Sequence, residues 1–267
     1  MLKKSIILIG CFLSVFVVHG QRKKIELLGA DELEGVMYQG NKANRLKGHV
    51  RMKLEGAFLK CDIGYMPIKS SNFDAFGHVY IKQPSGAVIY GDSLFYNGVT
   101  KIAKIRGHVK VIDDKMTLRT DHLDYNMSKK TAWYYNGGNI VDDGTTLISE
   151  TGYFNSNTKF YSFKGDVKVN KKGSRIESDT LNYASGTKDT YFYGPTYIYT
   201  EGKTLYAESG IYNTKEDKSW FSKNAWVETP TYKLLGDSLF FDNKNDYGYA
   251  VNNVRIESFT DSVTIYG

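Results

Sequence analysis

The sequence predicts an all-β fold, one elongated body of about eight repeats of 29 residues, each supplying two antiparallel strands. Three observations predict it. An acidic residue recurs at Asp31, Asp62, Asp92, Asp121, Glu150, Asp179, Glu208 and Asp237, with gaps of 31, 30 and then five of 29. Such a period identifies a repeat protein. Apolar and polar residues alternate on either side of each acid, as in a half-buried strand. The composition, 21 Tyr and 14 Phe against 4 Pro, favours strands over disordered linkers. No segment carries a convincing 3.6-residue apolar period; residues 24–36 come closest and match the strand repeat better.

Taken in order, residues 1–20 read as a secretory signal peptide: Lys3 and Lys4, an apolar run from Ile6 to Val18, then Gly20 before the cut. Leu8-Ile9-Gly10-Cys11 also resembles a lipoprotein processing site, but the apolar run continues past Cys11, which suits cleavage near Gly20. No later segment approaches the ~20 apolar residues of a membrane-spanning helix. The expected organisation is a signal peptide over 1–20 and one repeat domain over 21–267. The exported chain keeps one cysteine, Cys61, and so has no internal disulfide. Cys61 precedes Asp62 where other repeats have Thr120, Ser149, Ser178 or Ala207, and reads as filler of a small site.

Each repeat begins with a glycine followed two and four residues later by apolar side chains: Val79 and Ile81, Val109 and Val111, Val167 and Val169. The glycine recurs at Gly48, Gly77, Gly107, Gly138, Gly165 and Gly194, with Lys223 and Asn252 standing in later. The second strand is keyed to the acid. Three residues before it lies an Ile or Leu, among them Ile89, Leu118 and Ile176; two after it come Leu94, Leu123 and Leu181; four after it come Tyr96, Tyr125 and Tyr183. The positions before and after the acid have opposite parity, so a bulge or corner beside the acid must restore the phase for all of them to face one interior. The carboxylate is then expected to accept backbone N–H groups freed by the bulge. Polar, glycine-bearing reversals such as Asn97-Gly98, Asp142-Asp143-Gly144 and Asn170 to Gly173 separate the strands, about fifteen or sixteen in all. Ile265-Tyr266-Gly267 repeats Ile89-Tyr90-Gly91, so the sequence stops where the next acid is due; a shortened chain or an uncapped last unit is expected, its strand edge open to pairing.

The chemistry-bearing residues follow the repeat. A catalytic group is needed once, whereas the carboxylates recur eight times, which makes them structural acids. His49, His78 and His108 share one repeat position with Asn139, Asp166, Asn224 and Asn253, marking a polar, outward site and not a metal set. His122 reads as an exposed strand residue, and most aromatics as interior packing. No nucleophile triad, phosphate-cradling loop or zinc spacing is present. After signal removal 33 basic residues face 29 acidic ones, a balance too diffuse for nucleic-acid binding. No enzyme activity, metal or cofactor is expected.

The pattern Gly107-His108-Val109-Lys110-Val111 with Leu118-Arg119-Thr120-Asp121-His122-Leu123-Asp124-Tyr125-Asn126, repeated at Gly165 to Tyr183, resembles the OstA-like family. That family includes the periplasmic lipopolysaccharide-transport protein LptA and the N-terminal domain of the outer-membrane protein LptD. The resemblance spans nearly all of residues 25–267; Glu150, Glu208, Gly152, Gly210 and Pro195 depart from the pattern locally. It implies an open β-jellyroll holding lipopolysaccharide acyl chains between two sheets. The fifteen apolar positions named above, from Val79 to Tyr183, would line that groove. It also implies a periplasmic location and end-to-end strand pairing with other β-jellyroll proteins of the transport bridge. A secreted structural or adhesive β-solenoid with a closed core satisfies the same repeats; a carbohydrate-active β-helix enzyme would need a one-off cluster of acids and bases, which the sequence does not display.

Overall fold

A computed structural model describes residues 25–267 except Asp246; the expected signal peptide over residues 1–20 and the processing-site resemblance at Cys11 lie outside the described residues. The chain runs as β1 (Glu26–Gly29), β2 (Glu32–Tyr38), β3 (Asn41–Leu54), β4 (Ala57–Pro67), β5 (Phe73–Lys82), β6 (Val88–Asn97), β7 (Ile102–Asp113) and β8 (Met116–Asn126). It continues through β9 (Thr131–Tyr134), β10 (Gly138–Asp142), β11 (Thr145–Ser149), β12 (Thr151–Asn155), β13 (Phe160–Lys171), β14 (Ser174–Ala184) and β15 (Asp189–Thr200). The last strands are β16 (Lys203–Asn213), β17 (Lys218–Glu228), β18 (Tyr232–Asp242), β19 (Tyr247–Val251), β20 (Arg255–Ser258) and β21 (Thr264–Tyr266). Every pairing is antiparallel and joins near neighbours in sequence, giving an all-β, elongated jellyroll. The strand total exceeds the expected fifteen or sixteen because several long strands are cut in two at one recurring point.

That point is a corner. In the β7–β8 pair, Arg106 faces His122 and Val109 faces Thr120, so Gly107 and His108 together oppose the single residue Asp121. The same two-against-one step recurs in the β3–β4, β5–β6, β13–β14 and β17–β18 pairs. It is a β-bulge, and its extra residue lies on the glycine strand. Both bulge residues are left-handed, Gly107 at φ 73° and His108 at φ 46°, which explains glycine followed by His, Asp or Asn. Each long strand thereby bends into two halves. Halves after the glycine pair with halves before the acid to make a first layer; the remaining halves make a second. The two layers fold onto one apolar core.

Several sequence departures have local reasons. Gly138 is not the corner glycine of its unit: Asn136 (φ 66°) and Gly137 (φ 96°) make the turn, and Gly138 pairs with Ser149 as Val167 pairs with Ser178. Its missing side chain admits the Tyr134 ring, which a Cβ on Gly138 or Gly152 would meet at 2.3 or 2.2 Å. Gly210, in place of a leucine, likewise lies under Phe221. Pro195 occupies the second bulge position of β15, where the ladder skips, so the strand runs through it.

Candidate functional site

The interior between the layers is the candidate site, and its two ends differ. From β3 to β8 it is sealed, save at the ends of β7 and β8 that lie away from the corner. Leu46, Val50, Met52, Leu59, Phe73 and Leu94 have no exposure, and the predicted positions Val79, Ile81, Ile89, Tyr96, Val109, Leu118 and Leu123 are all buried. The mouth opposite the corner is bridged here: the Lys101 ammonium donates to Glu55 Oε1 at 2.5 Å and the Tyr96 hydroxyl to the same oxygen at 3.2 Å. Glu55 belongs to the β3–β4 turn of the first layer, and Tyr96 and Lys101 to the second. Burial and then the Glu55 charge raise the Tyr96 phenol, so it stays a neutral donor.

Toward the C-terminal end the layers part. Val167 and Leu181 are buried, whereas Val111, Tyr125, Val169, Ile176 and Tyr183 are only half-buried. A cavity of about 320 Å³ opens between the layers. Ile176, Ile198 and Leu205 line it from the first layer, and Phe192, Tyr212, Phe221 and Phe241 from the second. Ser174, Thr200, Lys203, Ser219 and Asn243 supply its polar margin. Lys203 reaches across the mouth, with Nζ 5.5 Å from the centre of the Phe241 ring. Volume and lining sit at the small end of the range for pockets that take apolar ligands. Of the fifteen predicted lining positions, the cavity wall includes Ile176; the others lie in packed core or along the half-open stretch before it. Sequence parity placed these positions on one interior face, but it carries no information on where the two layers touch and where they part.

The recurrent acids stand on the outer corner. Asp31, Asp62 and Asp92 accept from His49, His78 and His108, Nδ1 to Oδ2 at 2.7 Å in each case. Asn224 and Asn253 donate to Glu208 and Asp237 at 2.9 Å. The partners are thus side chains from the bulge of the following strand, in place of the expected backbone N–H groups. Asp179 and Glu150 lie against Gly194 and Gly165 of the following strand; Asp121 stands opposite the Gly107-His108 bulge of the preceding one. The hydrogen bonds to Asp62 and Asp92 raise the His78 and His108 imidazoles above their ordinary value. Among the described residues no group of three or more His, Cys, Asp and Glu is placed to hold a metal.

Two further expectations are corrected. His122 is half-buried: it stacks on Tyr135 with ring centres 5.0 Å apart, beside the Arg106–Asp124 ion pair at 2.6 Å. The neighbours responsible come from adjacent strands, which a repeat alignment does not place. The aromatics, too, are not mostly interior. Tyr80–Tyr90, Tyr65–Phe76–Phe95, Tyr206–Trp226 and Trp220–Phe240 pair across strands on the outer faces, where such pairs stabilise a sheet.

Fold and site together define a two-layered β-jellyroll with an apolar interior, tightly packed toward β3 to β6 and leaving a cavity between the layers near β14 to β18. A family model described as OstA-like protein matches residues 22–179. The chain belongs to the OstA-like family. No curated protein matches the chain significantly. Among solved structures, one that aligns is that of LptH from Pseudomonas aeruginosa, described as the LptA-homologous periplasmic component of the lipopolysaccharide transport device. It shares 12% identity over 46% of this chain and 93% of that one, with a TM-score of 0.38.

Proposed function

We propose that this protein is a non-enzymatic carrier of a lipopolysaccharide-type lipid, holding acyl chains in the trough between its layers and passing them across the periplasm toward the outer membrane. The observation that carries the reading is the apolar cavity spanning Ile176 to Phe241, with Lys203 at its mouth. Membership of the OstA-like family points the same way. Burial is worth about 0.8 kcal/mol per methylene, so ~10 methylenes contribute on the order of 8 kcal/mol, against about 1 kcal/mol or less for an exposed lysine–phosphate contact. Affinity therefore resides in the trough, while Lys203 orients an anionic headgroup. Similar β-jellyroll proteins would join its end strands to complete the bridge.

A second reading, a structural module with a dry core, is favoured by the sealed interior from β3 to β8. Photo-crosslinking separates the two. A photoreactive residue at Ile176 or Tyr212 should capture lipopolysaccharide, with weaker capture at Tyr125 and none at the outward Lys104. Absence of capture at all three interior positions favours the structural module.

A further inference from the structure

We infer that the outer face of the first layer, from β3 to β8, docks onto the surface of an anionic phospholipid bilayer. The outward side chains of these half-strands include six cations, Arg51, Lys53, Lys60, Lys82, Lys110 and Arg119, and no carboxylate. Arg51 is paired directly opposite Lys60, and Lys110 directly opposite Arg119. Like charges facing each other across a strand pair destabilise the sheet that carries them. Among the described residues only Lys53 of the six has a carboxylate partner, Glu26 at 3.8 Å. Of the acids at the corner beside this face, Asp31, Asp62 and Asp92 are engaged by His49, His78 and His108. Asp121 stands outside the half-strands, and Glu55, Asp113 and Asp114 lie at the opposite rim.

The second layer of the same strands behaves differently. There Glu34 pairs with Arg45 and Lys47 at 2.7 and 2.8 Å, Asp124 with Arg106 at 2.6 Å, and Asp74 accepts from Tyr38 at 2.9 Å. The second layer carries outward carboxylates that pair with its outward cations, Lys104 excepted, whereas the first layer carries none, an arrangement suited to an external anion.

The face also tells what kind of anion. Its cations stand on five of six consecutive strands, too far apart for one small ligand, since neighbouring strands lie about 4.8 Å apart. Between them stand Phe58, Tyr80 and Tyr90, the last exposed at 41%, and the Lys60 ammonium lies over the Phe58 and Tyr80 rings. Tyrosines among lysines on a sheet face match the headgroup level of a bilayer, where amphipathic rings and basic side chains both find partners. The inference does not depend on the trough.

Co-sedimentation of the purified protein with vesicles tests it. Vesicles of phosphatidylcholine mixed with phosphatidylglycerol should bind, phosphatidylcholine alone should not, and added salt should release the protein. Lys110→Gln with Arg119→Gln should weaken binding about thirtyfold and leave the denaturation midpoint equal or higher, because a repulsive pair has gone. Lys104→Gln with Lys164→Gln, an equal charge change on the other layer, should bind as the parent does. Equal binding to both vesicle types, equal loss in both double variants, or a lowered midpoint in the first would overturn the inference. Retention on immobilised polyglutamate without vesicle binding would overturn it in favour of an acidic protein.

Discussion

At the scale of the residue, the corner is the recurring decision. Gly107 turns at φ 73° with the Asp92 carboxylate 2.2 Å from where a Cβ would stand. Gly107→Ala meets both obstacles at once, and a loss of about 1–3 kcal/mol is expected in chemical denaturation. The histidine beside it titrates with the corner. The carboxylates of Asp62 and Asp92 raise the folded-state values of His78 and His108. The stabilisation is therefore complete below the unfolded histidine value and fades as pH rises through the raised folded one. NMR titration should place both imidazoles above the ordinary value, and Asp92→Asn should return His108 toward it while leaving His78 raised. An unaltered His108 in that variant would refute the pairing. Cys61, 4% exposed and with its thiol pushed up to about 12 by burial first and Asp62 second, should resist thiol reagents in the native protein.

At the scale of the element, each bent strand serves two layers, and what differs along the chain is how those layers meet. Between β3 and β8 they interlock and the Glu55–Lys101–Tyr96 clasp ties the rims together. Glu55→Ala leaves a partly buried ammonium without its partner, with an expected cost of about 1–2 kcal/mol; hydrogen exchange should then quicken at the β3–β4 and β6–β7 turns. Unchanged exchange there would show the mouth to be held by packing alone. The sequence announced the strands, the turns and the apolar face, because period and parity are local and repeat eight times. It concealed the clasp, because Glu55 and Lys101 are 46 residues apart and Lys101 shares its turn position with Lys130, Lys159 and Lys188, so the repeat does not single out the one lysine that meets a carboxylate. The Gly138 register was concealed for a related reason: a glycine that makes room for the Tyr134 ring looks the same in sequence as one that turns a corner.

At the scale of the molecule, the asymmetry is the functional statement. Repeat proteins hold together through neighbour contacts, so local stability follows local packing. Leu59→Ala, in the sealed half, should cost about 2–5 kcal/mol. Ile176→Ala, beside a space that already exists, should cost roughly 1 kcal/mol, because fewer atoms lose contacts. Comparable losses at the two sites would mean that the cavity is not a feature of the folded protein. In the proposed function the closed half is the frame and the open half the receiving trough. That division was not legible in the repeats, since Leu118 and Ile176 hold the same repeat position and meet different surroundings, one buried and one at the cavity wall.

The central claim is that fatty chains enter between the layers near β14 to β18. Its most direct measurement is photo-capture of lipopolysaccharide at Ile176 and Tyr212, with a probe at Val109 as the packed control. The account predicts capture at the first two and none at Val109, which is 1% exposed. Equal labelling at all three, or none at Ile176 and Tyr212, would contradict it.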